Sequence, residues 1–155
     1  MVWTHRDPAV ALASWCSPAA MLANAASDQV DLGALGRRWL NFWATELDRA
    51  LAARTKADPA RFHDVGYEAL VADPLAEVER LYARLGLELS GATRQRMRRW
   101  IGRHHHRCGR PHRYALTDVG LDPADVTRRF ACYREWVAAA TQAWPSRRAR
   151  QSRRA

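Results

Sequence analysis

Two residues near the start of the chain, Arg6 and Ser14, are of the types that hold a phosphate. A guanidinium fork makes two charged hydrogen bonds to a phosphate and a serine hydroxyl adds a third. Arg6 belongs to Arg6-Asp7-Pro8, which closes the short apolar segment Val2-Trp3-Thr4-His5 and opens a helix. Asp caps free amides and Pro is preset for the first helical position, and a strand-to-helix turn is where α/β proteins present ligands. Ser14 lies roughly 10 Å along that helix from Asp7, too far for a phosphate seated on the first-turn amides alone. A shared ligand must therefore run along the helix flank with Arg6 folded toward it. On spacing alone a plainer alternative stands beside this one, in which Arg6 pairs with a carboxylate and Ser14 is a small packing residue.

A second cationic region runs from Gly91 to Arg113, with eight arginines and no acidic residue. That is more charge than a solvated helix face normally gathers, although solvated surface charge remains the alternative. His104, His105, His106, Cys108 and His112 are of the types that ligate zinc. Adjacent histidines on a helix point about 100° apart, and no second Cys or His cluster completes a tetrahedral set, so no metal site is expected. Trp15, Trp39, Trp43, Trp100 and Trp136 fall at helical spacings, where core packing is the common role.

These residues need elements to position them. The helix opened by Asp7-Pro8 carries Val10, Leu12 and Trp15 and is expected to run until Pro18 disturbs it. Leu32, Leu35, Trp39, Leu40, Trp43, Leu47 and Leu51 recur at three- and four-residue steps and predict a long packing helix. Residues 61–67, Arg-Phe-His-Asp-Val-Gly-Tyr, predict a strand ending at Tyr67, an aromatic that could equally belong to the core. Asp73-Pro74 starts a helix that buries Leu75, Val78, Leu81 and Leu85 and stops at Gly86. A further helix is expected from Thr93 to about Gly102, and a last one opens at Asp122-Pro123 and carries Val126, Phe130, Tyr133, Trp136 and Val137. Strand, helices, strand, helices is an α/β pattern.

At 155 residues the chain is one domain's length. Its net charge of +9 suggests nucleic acid, yet five of those charges are arginines of the tail from Ser146 to Ala155. Lys56 is the only lysine, so the arginine abundance reflects composition more than phosphate contacts. The Ala-rich stretch from Ala9 to Ala26 is broken by Ser, Cys, Pro18 and Asn24, which supports neither a membrane span nor a signal peptide. Three widely spaced cysteines, Cys16, Cys108 and Cys132, fit reduced thiols and a cytoplasmic chain.

The segment from His5 to Trp15, His-Arg-Asp-Pro-Ala-Val-Ala-Leu-Ala-Ser-Trp, resembles the 3'-phosphate-binding segment of sulfotransferases that use 3'-phosphoadenosine 5'-phosphosulfate (PAPS). The likeness continues in Tyr67-Glu68-Ala69-Leu70 with its following Asp73-Pro74 helix and the Leu85-Gly86-Leu87 turn. It continues again in His112-Arg113-Tyr114-Ala115-Leu116, Gly120-Leu121 and the Phe130 to Tyr133 helix, which are similar to bacterial members. The resemblance implies that Arg6 and Ser14 contact the 3'-phosphate, that Tyr67 lies near the adenine, and that Arg110, His112 and Arg113 occupy the basic loop that closes on the cofactor, with Arg110 and Arg113 its candidate ligands. The usual Arg-Lys-Gly of animal members is absent from that loop.

The family's phosphosulfate-gripping loop is rich in Gly, Ser and Thr and follows a strand. None of the eight glycines here lies in such a loop, because Gly33 and Gly36 fall inside a helical pattern. The expectation is thus a mostly helical part of the P-loop-like sulfotransferase fold, residues 1–145 being the C-terminal portion of that domain and residues 146–155 a disordered Arg-rich tail. The implied chemistry is sulfuryl transfer from PAPS to a hydroxyl or amine of a small-molecule or carbohydrate acceptor, in a truncated chain whose catalytic base is not assignable. Two alternatives stand: a non-catalytic module that binds 3'-phosphoadenosine nucleotides or pairs with a separate N-terminal half, and a basic nucleic-acid-binding protein, the less favoured.

Overall fold

In a computed structural model of the chain, residues 1–104 and 115–142 are described. They form two compact units, one of residues 1–5 and 62–104, the other of residues 6–61 and 115–142. The element order is β1 (Val2–His5), α1 (Pro8–Ala26), α2 (Leu32–Lys56), β2 (His63–Gly66), α3 (Tyr67–Ala72), α4 (Pro74–Arg84), α5 (Gly91–His104), α6 (Pro123–Arg129) and α7 (Ala131–Gln142), with single 3-10 turns at Pro59–Arg61 and Leu116–Val119.

In the first unit β1 and β2 pair in parallel, Val2 opposite His63 and His5 opposite Gly66. Tyr67 is not the last residue of the strand, as the sequence led us to expect, but the first of α3, with Gly66 as its extended N-cap. Asp73 caps α4, its Oδ1 accepting from the Ala76 amide at 3.0 Å, and Pro74 follows at the first helical position. The helix ends on Gly86 at φ 66°, where the Leu87 amide donates to the Tyr82 carbonyl at 2.9 Å, a left-handed closure that suits glycine. α5 begins two residues before the expected Thr93 and ends two after Gly102.

The second unit holds a core of Leu12, Ala13 and Cys16 from α1, Ala44 from α2, and Leu116, Val119, Leu121, Val126 and Phe130. Leu35, Trp39, Leu40, Trp43 and Leu47 of the α2 stripe pack against it. A β-carbon on Gly36 would stand 2.3 Å from the Val119 carbonyl oxygen, so this glycine allows the backbones to meet.

Two expectations about helix ends fail. α1 passes through Pro18 to Ala26, because the ring sits on an exposed side and Ala19, Ala20, Met21, Leu22 and Ala23 are strong helix formers that tolerate one missing bond. The last helix is two, since Phe130, at φ −99° and ψ 10°, steps out of helical geometry between α6 and α7 while its ring stays 2% exposed in the core. By length and composition alone α1 could cross a membrane, although its Leu12, Ala13 and Cys16 are spent on this core.

Candidate functional site

α1 positions the phosphate candidates of the second unit. Asp7 closes the helix start: its Oδ1 accepts from the Ala9 amide at 2.8 Å and the Val10 amide at 3.4 Å. The amides that would cradle a small anion at the helix end are therefore already engaged, and an anion here has to be read by side chains on the flank. Seven residues is two turns to within about 20°, so Ser14 rises on the same side as Asp7. Ser14 is half-buried and Arg6 is exposed. Pro18 brings no amide to the Ser14 carbonyl, so that one helical hydrogen bond is not made.

Asp7 has a second partner, which sequence reasoning missed. Arg134 of α7 places an Nη2 3.4 Å from the other carboxylate oxygen. That cation offsets the charge by which Asp7 would repel a phosphate bound near Arg6. The expected stripe of the last helix held only apolar positions, and the arginine beside buried Tyr133 carries no local signal of its distant carboxylate.

Beyond Ser14 the same helix walls an apolar cavity of about 830 Å³ with Trp15, Pro18 and Leu22 on one side and Leu35 and Trp39 on the other. Among the described residues Arg38 is the only cation of its lining, and Asp31 there is occupied in capping α2 through the Ala34 amide at 2.8 Å. Trp15 meets Trp39 and Trp43 edge to face at 5.2 and 5.5 Å; Trp39 and Trp43 pack against the core as the spacing implied, whereas Trp15 and Trp100, expected there too, are 44% and 62% exposed. Burial pushes the Cys16 thiol up, away from thiolate chemistry.

In the first unit Tyr67 is 36% exposed at the head of α3. His5 is 1% exposed, and its Nε2 donates to the Asp64 carboxylate across the strand pair at 3.0 Å. That pairing gives His5 a structural role beside the next strand. His63, 4% exposed, has its pKa lowered chiefly by burial and then by the Arg84 and Arg80 charges, against the opposing Asp64. Of the histidine run only His104 is described: its Nδ1 donates to the Trp100 carbonyl at 2.8 Å. No group of three or more metal-binding side chains occurs among the described residues. Arg110, His112 and Arg113 lie outside the described residues, as do His105, His106, Cys108 and the tail.

The family model that matches the chain is that of the sulfotransferase family, over residues 1–91. A crystal structure of a sulfotransferase from Mycobacterium avium superposes with a TM-score of 0.74 at 27% identity, over 86% of this chain and 35% of its own. A second, a sulfotransferase from Mycobacterium tuberculosis, gives 0.63 at 34% identity, over 84% of this chain and 32% of its own. No curated protein matches. The chain belongs to the sulfotransferase family and spans about a third of the length of the solved structures it matches. Its small parallel sheet and flanking helices are part of the P-loop-like sulfotransferase fold.

Proposed function

We propose that this chain supplies the 3'-phosphate end of a PAPS site used for sulfuryl transfer to a hydroxyl or amine acceptor, with Arg6 and Ser14 as the phosphate ligands. The observation that carries the reading is the capped head of α1. With the Ala9 and Val10 amides engaged by Asp7, a phosphate is left to Arg6 and to the hydroxyl two turns up the same side. Arg134 supports it by holding Asp7 in an ion pair. In this reading Arg6 contributes two charged hydrogen bonds and Ser14 one neutral one. Tyr67 is a separate proposal, an adenine contact tested by its own Ala variant.

Transfer also needs donors aimed at the bridging phosphosulfate, where charge develops. No Gly-Ser-Thr-rich loop of that kind occurs in these 155 residues, and we assign those donors, the catalytic base and the acceptor contacts to polypeptide outside them. The reading places the chain in the cytoplasm, where Cys16 and Cys132 stay free thiols.

Nucleotide selectivity tests the proposal. Adenosine 3',5'-bisphosphate is expected to bind at least about tenfold more tightly than adenosine 5'-monophosphate, the margin of one charged phosphate contact. Equal affinities would assign the binding to adenine or the 5'-phosphate and remove Arg6 and Ser14 from it.

A further inference from the structure

The outer side of α5 carries charge that the 3'-phosphate reading does not use. Arg94, Arg96, Arg98, Arg99 and Arg103 stand on this helix with no acidic residue. Arg94 is tied to Glu79 at 2.8 Å, but Arg96, Arg99 and Arg103 are exposed and have no ion pair among the described residues. At about 100° per residue these three cluster on one flank of Trp100, at one, three and four residues from it.

Trp100 itself is 62% exposed. It is held in place, because the His104 ring stacks on it at 4.4 Å and 19° while His104 Nδ1 is fixed to the Trp100 carbonyl. Met97 and Ile101, the other large apolar residues of the helix, are half-buried and turned from that flank. Insertion into a lipid surface would want an apolar stripe, and α5 offers outward a single ring among cations. A fixed ring bordered by guanidinium forks suits a polymer that alternates rings able to lie on an aromatic face with anionic groups.

We propose that this face of α5 binds an acidic polysaccharide, its sugar rings against Trp100 and its carboxylate or sulfate groups on Arg96, Arg99 and Arg103. The choice of a saccharide over a single-stranded nucleic acid rests on the sulfuryl-transfer reading, since a polysaccharide brings the hydroxyls that reaction consumes. The surface itself stands on the arginines and the ring alone.

Calorimetric titration of the 155-residue chain with a hyaluronan octasaccharide, a heparin octasaccharide and single-stranded DNA of matched charge tests this. Both saccharides are expected to bind more tightly than the DNA, with affinity falling as salt rises. Trp100→Ala is expected to cost about tenfold, as one stacking contact does. The double variant Arg96→Glu, Arg99→Glu is expected to abolish binding, with circular dichroism confirming that both variants fold. Tighter binding of the DNA would replace the saccharide by nucleic acid, and an unchanged Kd in Trp100→Ala would reduce the face to solvated charge. Because these ligands are read without nucleotide, their failure leaves the Arg6 proposal standing, and the reverse holds.

Discussion

Asp7 does at the head of α1 what a bound anion would otherwise do, and a single carboxylate thereby decides which groups remain for a phosphate. Arg6 and Ser14 became candidates through their residue types and the likeness of residues 5–15 to a phosphate-binding segment, both local facts, whereas their spacing alone also fitted an ion pair and a packing residue. Arg134 escaped sequence reasoning because the pairing of Arg134 with Asp7 bridges residues far apart in the chain. The same holds for His5 and Asp64, joined only once β1 and β2 are in register. Their neighbour His63 gives a pH prediction. Its pKa is lowered in the folded chain, so as pH falls below the ordinary value of 6.5 the unfolded chain takes up the proton first and stability declines. Above that value the group has no effect. Melting temperatures between about pH 7.5 and 5.5 are expected to fall less steeply in His63→Gln than in the wild type. Equal slopes would show that His63 is not buried in its neutral form.

At the scale of elements, periodicity identified the extents of α2 and α4 with little error, but it misjudged the face α4 buries: Leu75, Val78 and Leu81 are only half-buried, Leu85 is 56% exposed and Glu77 is the buried residue of the helix. It gave no warning of the step at Phe130, because Val126, Phe130 and Tyr133 keep helical spacing across the break. Pro18 was read as a stop by its chemistry, but the residues after it are helix formers and the exposed ring costs one hydrogen bond only. Gly36 was legible as a glycine inside a helix and not as a contact point, because the Val119 carbonyl that explains it arrives from beyond residue 115. A methyl group there meets backbone, which cannot rotate away. Gly36→Ala is therefore expected to destabilise the second unit by about 1–3 kcal/mol, despite alanine's better helix propensity. Denaturant unfolding checks it, and a gain in stability would show that α2 does not press on Val119.

Across the whole molecule, the sequence's high charge misdirects while its exposed apolar surface informs. Five of the nine net charges sit in the last ten residues, so the bulk value says little about the body of the chain. Val2 is 47% exposed, Trp15 44%, Leu22 67% and Phe42 47%, and large apolar side chains left in water favour association where they are contiguous. Among the described residues the parallel sheet has two strands, whereas parallel sheets are ordinarily covered. The 155-residue chain alone is expected to self-associate at micromolar concentration, as sedimentation velocity would report. A monomer with a sharp cooperative melt would mean that these surfaces are tolerated in water. The proposed 3'-phosphate site depends on Arg6 above all. Calorimetric titration of adenosine 3',5'-bisphosphate into the wild type and Arg6→Ala should show binding weakened by about 2 kcal/mol, roughly thirtyfold, in the variant. Unchanged affinity in a folded Arg6→Ala chain would contradict it.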